Sequence, residues 1–132
     1  MDVVFHCCTK IHRSGKKSKH RVLETCDDVR QVLKLNPLRG VQIPKFDVLR
    51  KMRIAVPGLN LGKSGGYRLI YEVREMDEVF HIVFLETYFK GDKEDLTQAE
   101  YKVLKETSNQ ILSNPLEYEW TDPEDLEEPD CY

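Results

Sequence analysis

Seven cations stand at the ends of apolar, strand-prone runs: Arg50, Lys51 and Arg53, then Lys63 and Arg68, and finally Lys90 and Lys93. If those runs pair as neighbouring antiparallel strands, the cations line one wall of a cleft. Like charges gathered this way repel, so the cluster costs stability unless an anion or an acidic partner fills it. That cost is the physical argument for function. The opposing reading has the strand ends splay the charges into water. Tyr67, Tyr71 and Tyr88 alternate with the same cations and could stack on bases, or they are ordinary core and sheet residues. His81, in FHIVF, reads more readily as a satisfied sheet histidine than as a base, because large apolar neighbours flank it.

The stretch GLNLGKSGG at residues 58–66 looks at first like a phosphate-cradling loop. A P-loop needs four residues between its first glycine and the G-K-[ST], and it opens a helix. Here three residues separate Gly58 from Gly62, and Pro57 has no N–H to donate. The adjoining GYRLIYEV is rich in aromatic and β-branched residues and reads as a strand. The glycines therefore serve a strand connection.

The elements that must position the cations are set by periodicity. VVFHCC, residues 3–8, forms a short strand. KIHRSGKKSKHR, residues 10–21, is either a basic helix face or a mobile basic segment, and either a phosphate contact or a solvated loop. A helix is predicted from Asp27 or Asp28 to Leu35, with an acidic N-cap, with Val29, Val32 and Leu33 on one face, and with Asn36-Pro37 as its stop. Residues 38–46 read as a connection. In LRKMRIAV, residues 49–56, Met52, Ile54 and Val56 point one way and Lys51 and Arg53 the other. Further strands are predicted at 67–74 and 79–88, the last apolar on both faces and so placed centrally. Thr97 and Glu100 form the capping box of a final helix, whose Tyr101, Leu104 and Ile111 face the sheet.

The 132 residues suffice for one core, and no apolar run approaches the ~20 residues of a membrane span. The opening MDVVFHCCTK has no basic start before an apolar stretch, so no signal peptide is expected. Cys7, Cys8, Cys26 and Cys131 form no C-x-x-C pair, which argues against zinc; an adjacent pair in an apolar strand suggests buried, reduced thiols and the cytoplasm. Residues 113–132 hold eight acids and no base, which leaves fifteen acids against twenty bases in residues 1–112, a net of +5. The expected organisation is a folded domain over 1–112 and an acidic, disordered tail over 113–132. Residues 117–130 of that tail either fold back over the basic cleft or are inert, and Trp120 is its one candidate anchor.

Taken together, LRKMRIAVPGLNLGKSGGYRLIYEV and VFLETYFKGDKEDLT resemble the RelE/HigB branch of the RelE/ParE superfamily, the toxins of bacterial type II toxin–antitoxin systems. The resemblance spans roughly residues 34–108. It implies an α+β fold: an N-terminal helix or helical hairpin on a mainly antiparallel sheet of about four strands, plus a C-terminal helix. It implies metal-independent, ribosome-dependent cleavage of mRNA and a cognate antitoxin as partner, with no cofactor and no membrane. By resemblance Arg68 faces the phosphate, and Lys63, Lys90 and Lys93 add catalytic charge or proton transfer. Arg50, Lys51, Arg53 and Tyr67 are the expected RNA-binding residues. The family's lysine pair falls on Leu59 and Leu61, its second arginine on Gly91 and its C-terminal tyrosine on Thr97, so no general acid or base is assigned. A non-catalytic protein of the same fold, inhibiting gyrase or only binding its antitoxin, is the alternative.

Overall fold

The computed structural model describes residues 2–7, 16–54, 66–91 and 93–115, with side chains in the first helix from residue 25 onward. These form β1 (Asp2–Cys7), α1 (Lys16–Leu35), β2 (Val41–Ile43), β3 (Phe46–Ile54), β4 (Tyr67–Met76), β5 (Val79–Phe89) and α2 (Gln98–Ser113). The strands make one sheet in the order β1-β5-β4-β3-β2. The pairs β2–β3, β3–β4 and β4–β5 are antiparallel, and β1 runs parallel to β5. The α+β architecture is the expected one, and β5 does lie inside the sheet. Among the described residues no helix is long and apolar enough to cross a membrane.

Three elements differ from expectation. First, α1 begins at Lys16, not at Asp27 or Asp28. Lys, Arg, Leu and Glu are strong helix formers, and a run of charge conceals that propensity. Asp27 is a mid-helix residue, and its carboxylate accepts from Arg30 at 2.6 Å, one turn on. The buried face is Cys26, Val29 and Leu33, whereas Val32 is exposed. Residues 16–21 of the basic segment thus belong to a helix, and residues 10–15 lie outside the described residues. Second, the supposed connection at 38–46 contains β2. It is too short to display alternation, and its register slips between Gln42 and Ile43 as Lys45 turns the chain at φ 70°. The sheet therefore has five strands instead of about four. Third, β1 joins parallel to β5, so the sheet is not a pure meander. Residues 55–65 and 116–132, with Lys63, Leu59, Leu61 and Trp120, lie outside the described residues.

Both faces of the sheet are covered. On one, Cys26, Val29 and Leu33 pack among Ile54, Tyr67, Leu69, Tyr71 and Phe84. On the other, Tyr101, Leu104 and Ile111 of α2 pack among Leu49, Ile70, Val83, Leu85 and Tyr88. The period-2 alternation of β4 accounts for the division, since Leu69 and Tyr71 face one way and Ile70 the other. The predicted capping box starts α2: the Thr97 side chain accepts from the Glu100 amide, and Glu100 accepts from the Thr97 amide. Cys7 and Cys26 are buried, and burial raises the Cys26 pKa.

Candidate active site

Strand register places the central cations. Arg53 on β3 lies directly opposite Arg68 on β4, and Arg68 lies directly opposite Tyr88 on β5. Met52 and Ile54 flank Arg53, and Tyr67 and Leu69 flank Arg68; all four join the core beneath α1. Arg53, Arg68 and Tyr88 therefore share the α2-facing side, in a row across three strands. Like charges directly opposite one another destabilise a sheet. Among the described residues no carboxylate forms an ion pair with Arg53, Arg68 or Lys90.

Arg68 is the best defined of the row. It is 9% exposed. Its one hydrogen bond among the described residues runs from Nη1 to the Tyr67 carbonyl, at a long 3.5 Å. Gly66, two residues before it, has a φ of +109° that suits glycine, and a Cβ there would meet Arg68 Nη1 in ordinary contact at 3.4 Å. The Gly66 carbonyl accepts from the Lys90 amide at 3.1 Å, which ties the start of β4 to the end of β5. Half-buried Lys90 is thereby held at the same rim.

Tyr88 is 7% exposed, and its hydroxyl has no hydrogen-bond partner among the described residues. Burial pushes its pKa up to about 12, with Asp95 and Glu86 adding to the rise and Arg68 opposing it. At neutral pH it is a protonated donor.

The remaining expected cations are less available. Lys51 donates to Asp95 at 3.1 Å, and Asp95 also accepts from the Tyr101 hydroxyl at 2.5 Å and the Leu96 amide at 2.8 Å. Burial works against the Asp95 charge, but bonds from Tyr101, Lys51 and Leu96 outweigh it and hold its carboxyl below the usual range. Burial and the Asp95 bond raise the Tyr101 pKa. Lys93 pairs with Glu100, and that hydrogen bond lowers the Glu100 pKa. Arg50 donates to the Leu38 and Gly40 carbonyls at 3.1 and 2.6 Å, a contact that fixes the approach to β2. Tyr67 is buried beside Phe89 with ring centroids 5.8 Å apart, so its face is core packing and not an open stacking surface. Sequence reasoning missed Asp95 and Glu100 as partners of these cations. Their signal lay in K-E-D-L-T-x-x-E, where carboxylates flank a helix start.

Further along β4 the same face carries a second polar cluster. Glu72 is 0% exposed. It pairs with Arg74 at 2.5 Å and with Lys105 of α2 at 3.7 Å. Arg74 and Lys105 both donate to the Asn109 side-chain oxygen, at 2.7 and 2.8 Å. At the outer edge, His6 and His81 stack with centroids 5.2 Å apart, and His6 Nε2 lies 2.9 Å from His81 Nδ1. His81 is thus engaged by another sheet side chain, as its apolar flanks suggested.

No curated protein matches the chain in sequence. The family model of the RelE toxin of the RelE/RelB toxin–antitoxin system matches residues 47–117, more than half of the chain and every strand of the cation row. With its five-stranded sheet between two helices, the chain belongs to the RelE toxin family, whose partner is an antitoxin.

Proposed function

We propose that this toxin is a metal-independent endoribonuclease of the HigB-like branch that cuts mRNA on the bacterial ribosome and stops translation in the cytoplasm. The observation that carries the proposal is the opposition of Arg53 and Arg68, neither ion-paired to a carboxylate among the described residues. A buried arginine facing a second arginine suits a site completed by a phosphate. The 2′-hydroxyl attacks the adjacent phosphorus and loses its proton to a base. The P–O5′ bond breaks, the 5′-oxygen takes up a proton, and a 2′,3′-cyclic phosphate remains. Negative charge builds on the phosphorane oxygens. Arg68, with Arg53, stabilises that charge more than it stabilises the ground state. Lys63 and Lys90 supply further positive charge in this proposal, whereas Lys93 is held by Glu100.

A binding-only role draws support from the Lys51–Asp95 and Lys93–Glu100 pairs, which neutralise two of the seven cations. Mapping mRNA 5′ ends after induction, with Arg68→Ala as control, separates the two. Cuts in translated regions that vanish in the variant support the nuclease. Growth arrest without cuts supports a binding role.

A further inference from the structure

The row across the sheet ends in a tyrosine whose sequence context suggests only stacking or core packing. Tyr88 and Arg68 are directly opposite on β5 and β4, so their Cβ atoms lie ~5 Å apart on one face. Both are more than nine-tenths buried. Among the described residues the Tyr88 hydroxyl has no partner, and the Arg68 guanidinium has one long bond to a carbonyl. Buried hydroxyls are rarely left unpartnered, because water is lost and nothing replaces it. Phenylalanine would fill the same space without that cost. A guanidinium and a hydroxyl side by side, both with donors to spare, are complementary to one tetrahedral oxyanion. We infer that Tyr88 is a catalytic residue: its hydroxyl donates to a non-bridging oxygen of the phosphodiester that Arg68 pairs with, and the Arg68–Tyr88 cross-strand pair forms the phosphate seat.

Burial, reinforced by Asp95 and Glu86, disfavours ionisation of the hydroxyl, so it donates and does not act as a base. The charge of Asp95 is offset by Lys51, and Arg68 and Arg53 together stand against that of Glu86 at the seat. The identity of the substrate rests on the ribonuclease reading; the seat for a phosphate does not.

Tyr88→Phe removes one oxygen and keeps the ring. Cleavage of translated mRNA should fall about tenfold to a hundredfold, the loss typical of a hydrogen bond to a charged group. Thermal stability should hold or rise, since an unpartnered hydroxyl leaves the core. Inorganic phosphate, monitored through the Arg68 Nε–H resonance, should bind the wild type and bind Tyr88→Phe at least severalfold more weakly. Full cleavage with unchanged phosphate binding in Tyr88→Phe would overturn the inference. If the wild type cuts no RNA, the ribonuclease reading fails, and the phosphate titration still decides the seat. A wild type that neither cuts nor shows a phosphate-induced shift overturns both.

Discussion

Arg68 and Glu72 lie four residues apart on the same face of β4, yet their surroundings are opposite in kind. Around Glu72, every charge is answered within the protein: Arg74, Lys105 and Asn109 close the network, and α2 covers it. Around Arg68, a second arginine stands opposite and a hydroxyl stands unpartnered among the described residues. One strand thus carries a charge-balanced cluster and one of like charges. In the first, Arg74 and Lys105 pair with Glu72 and tie α2 to the sheet, although neither Glu72 oxygen has a hydrogen-bond partner among the described residues. In the proposed reading the second is a source of binding energy for something outside the chain.

Substitutions should divide accordingly. The largest effect is expected at the like-charged end. Arg68→Ala should lower cleavage by a factor of ~10²–10³, the cost of removing one preorganised donor to a transition-state oxyanion. Urea unfolding should show its stability unchanged or slightly raised, because a repulsion is relieved. A marked loss of stability would mean that Arg68 is structural, and the contrast between the two clusters would collapse. Next is the charge-balanced end. Arg74→Met leaves the Glu72 carboxylate buried with only the 3.7 Å contact to Lys105. It should destabilise by ~3 kcal/mol in denaturant unfolding, as breaking a buried pair does. Cleavage per folded molecule should stay near that of the wild type.

Acid should distinguish the outer edge from both clusters. Burial, reinforced by His81, lowers the His6 pKa to about 4, so the folded state holds a neutral imidazole. The unfolded chain takes up a proton near 6.5. Stability from this group is whole above that pH and is lost as pH falls toward about 4, by on the order of 2 kcal/mol. Denaturant unfolding between pH 7 and 4 should show this slope, and His6→Phe should lack it. The smallest effect is expected at Asp95→Asn, which removes the charge that occupies Lys51. Stability should fall by ~1 kcal/mol, while RNA affinity at low salt rises severalfold and its salt dependence steepens by about one charge. Unchanged affinity in a filter-binding titration would show that Lys51 stands too far from the seat to matter.

What the sequence disclosed tracks what alternation and capping can encode. Met52 and Ile54 against Lys51 and Arg53, and Thr97 with Glu100, are local patterns, and the structure repeats them. Arg68 stood out in the sequence because a motif surrounds it. Long-range partners were not. Nothing local in LRKMR says that Lys51 will meet Asp95, 44 residues on, or that Arg50 will bond two carbonyls before β2. Tyr88 reads as a stacking or core residue because hydroxyl satisfaction is a property of the folded surroundings, not of spacing. The true start of α1 was hidden for the opposite reason: its first residues are good helix formers arranged without an apolar stripe.

The parallel placement of β1 has a consequence for the order in which the protein is made. Residues 2–7 are made more than seventy residues before their partners, Val79–Phe84. Until then β1 has no strand to join, although the β3 and β4 residues that pack with Cys26, Val29 and Leu33 of α1 are already made. The Arg53–Arg68–Tyr88 row also needs β5, and Asp95 comes later still. The topology thus leaves both β1 and the Arg53–Arg68–Tyr88 row incomplete until β5 has been made.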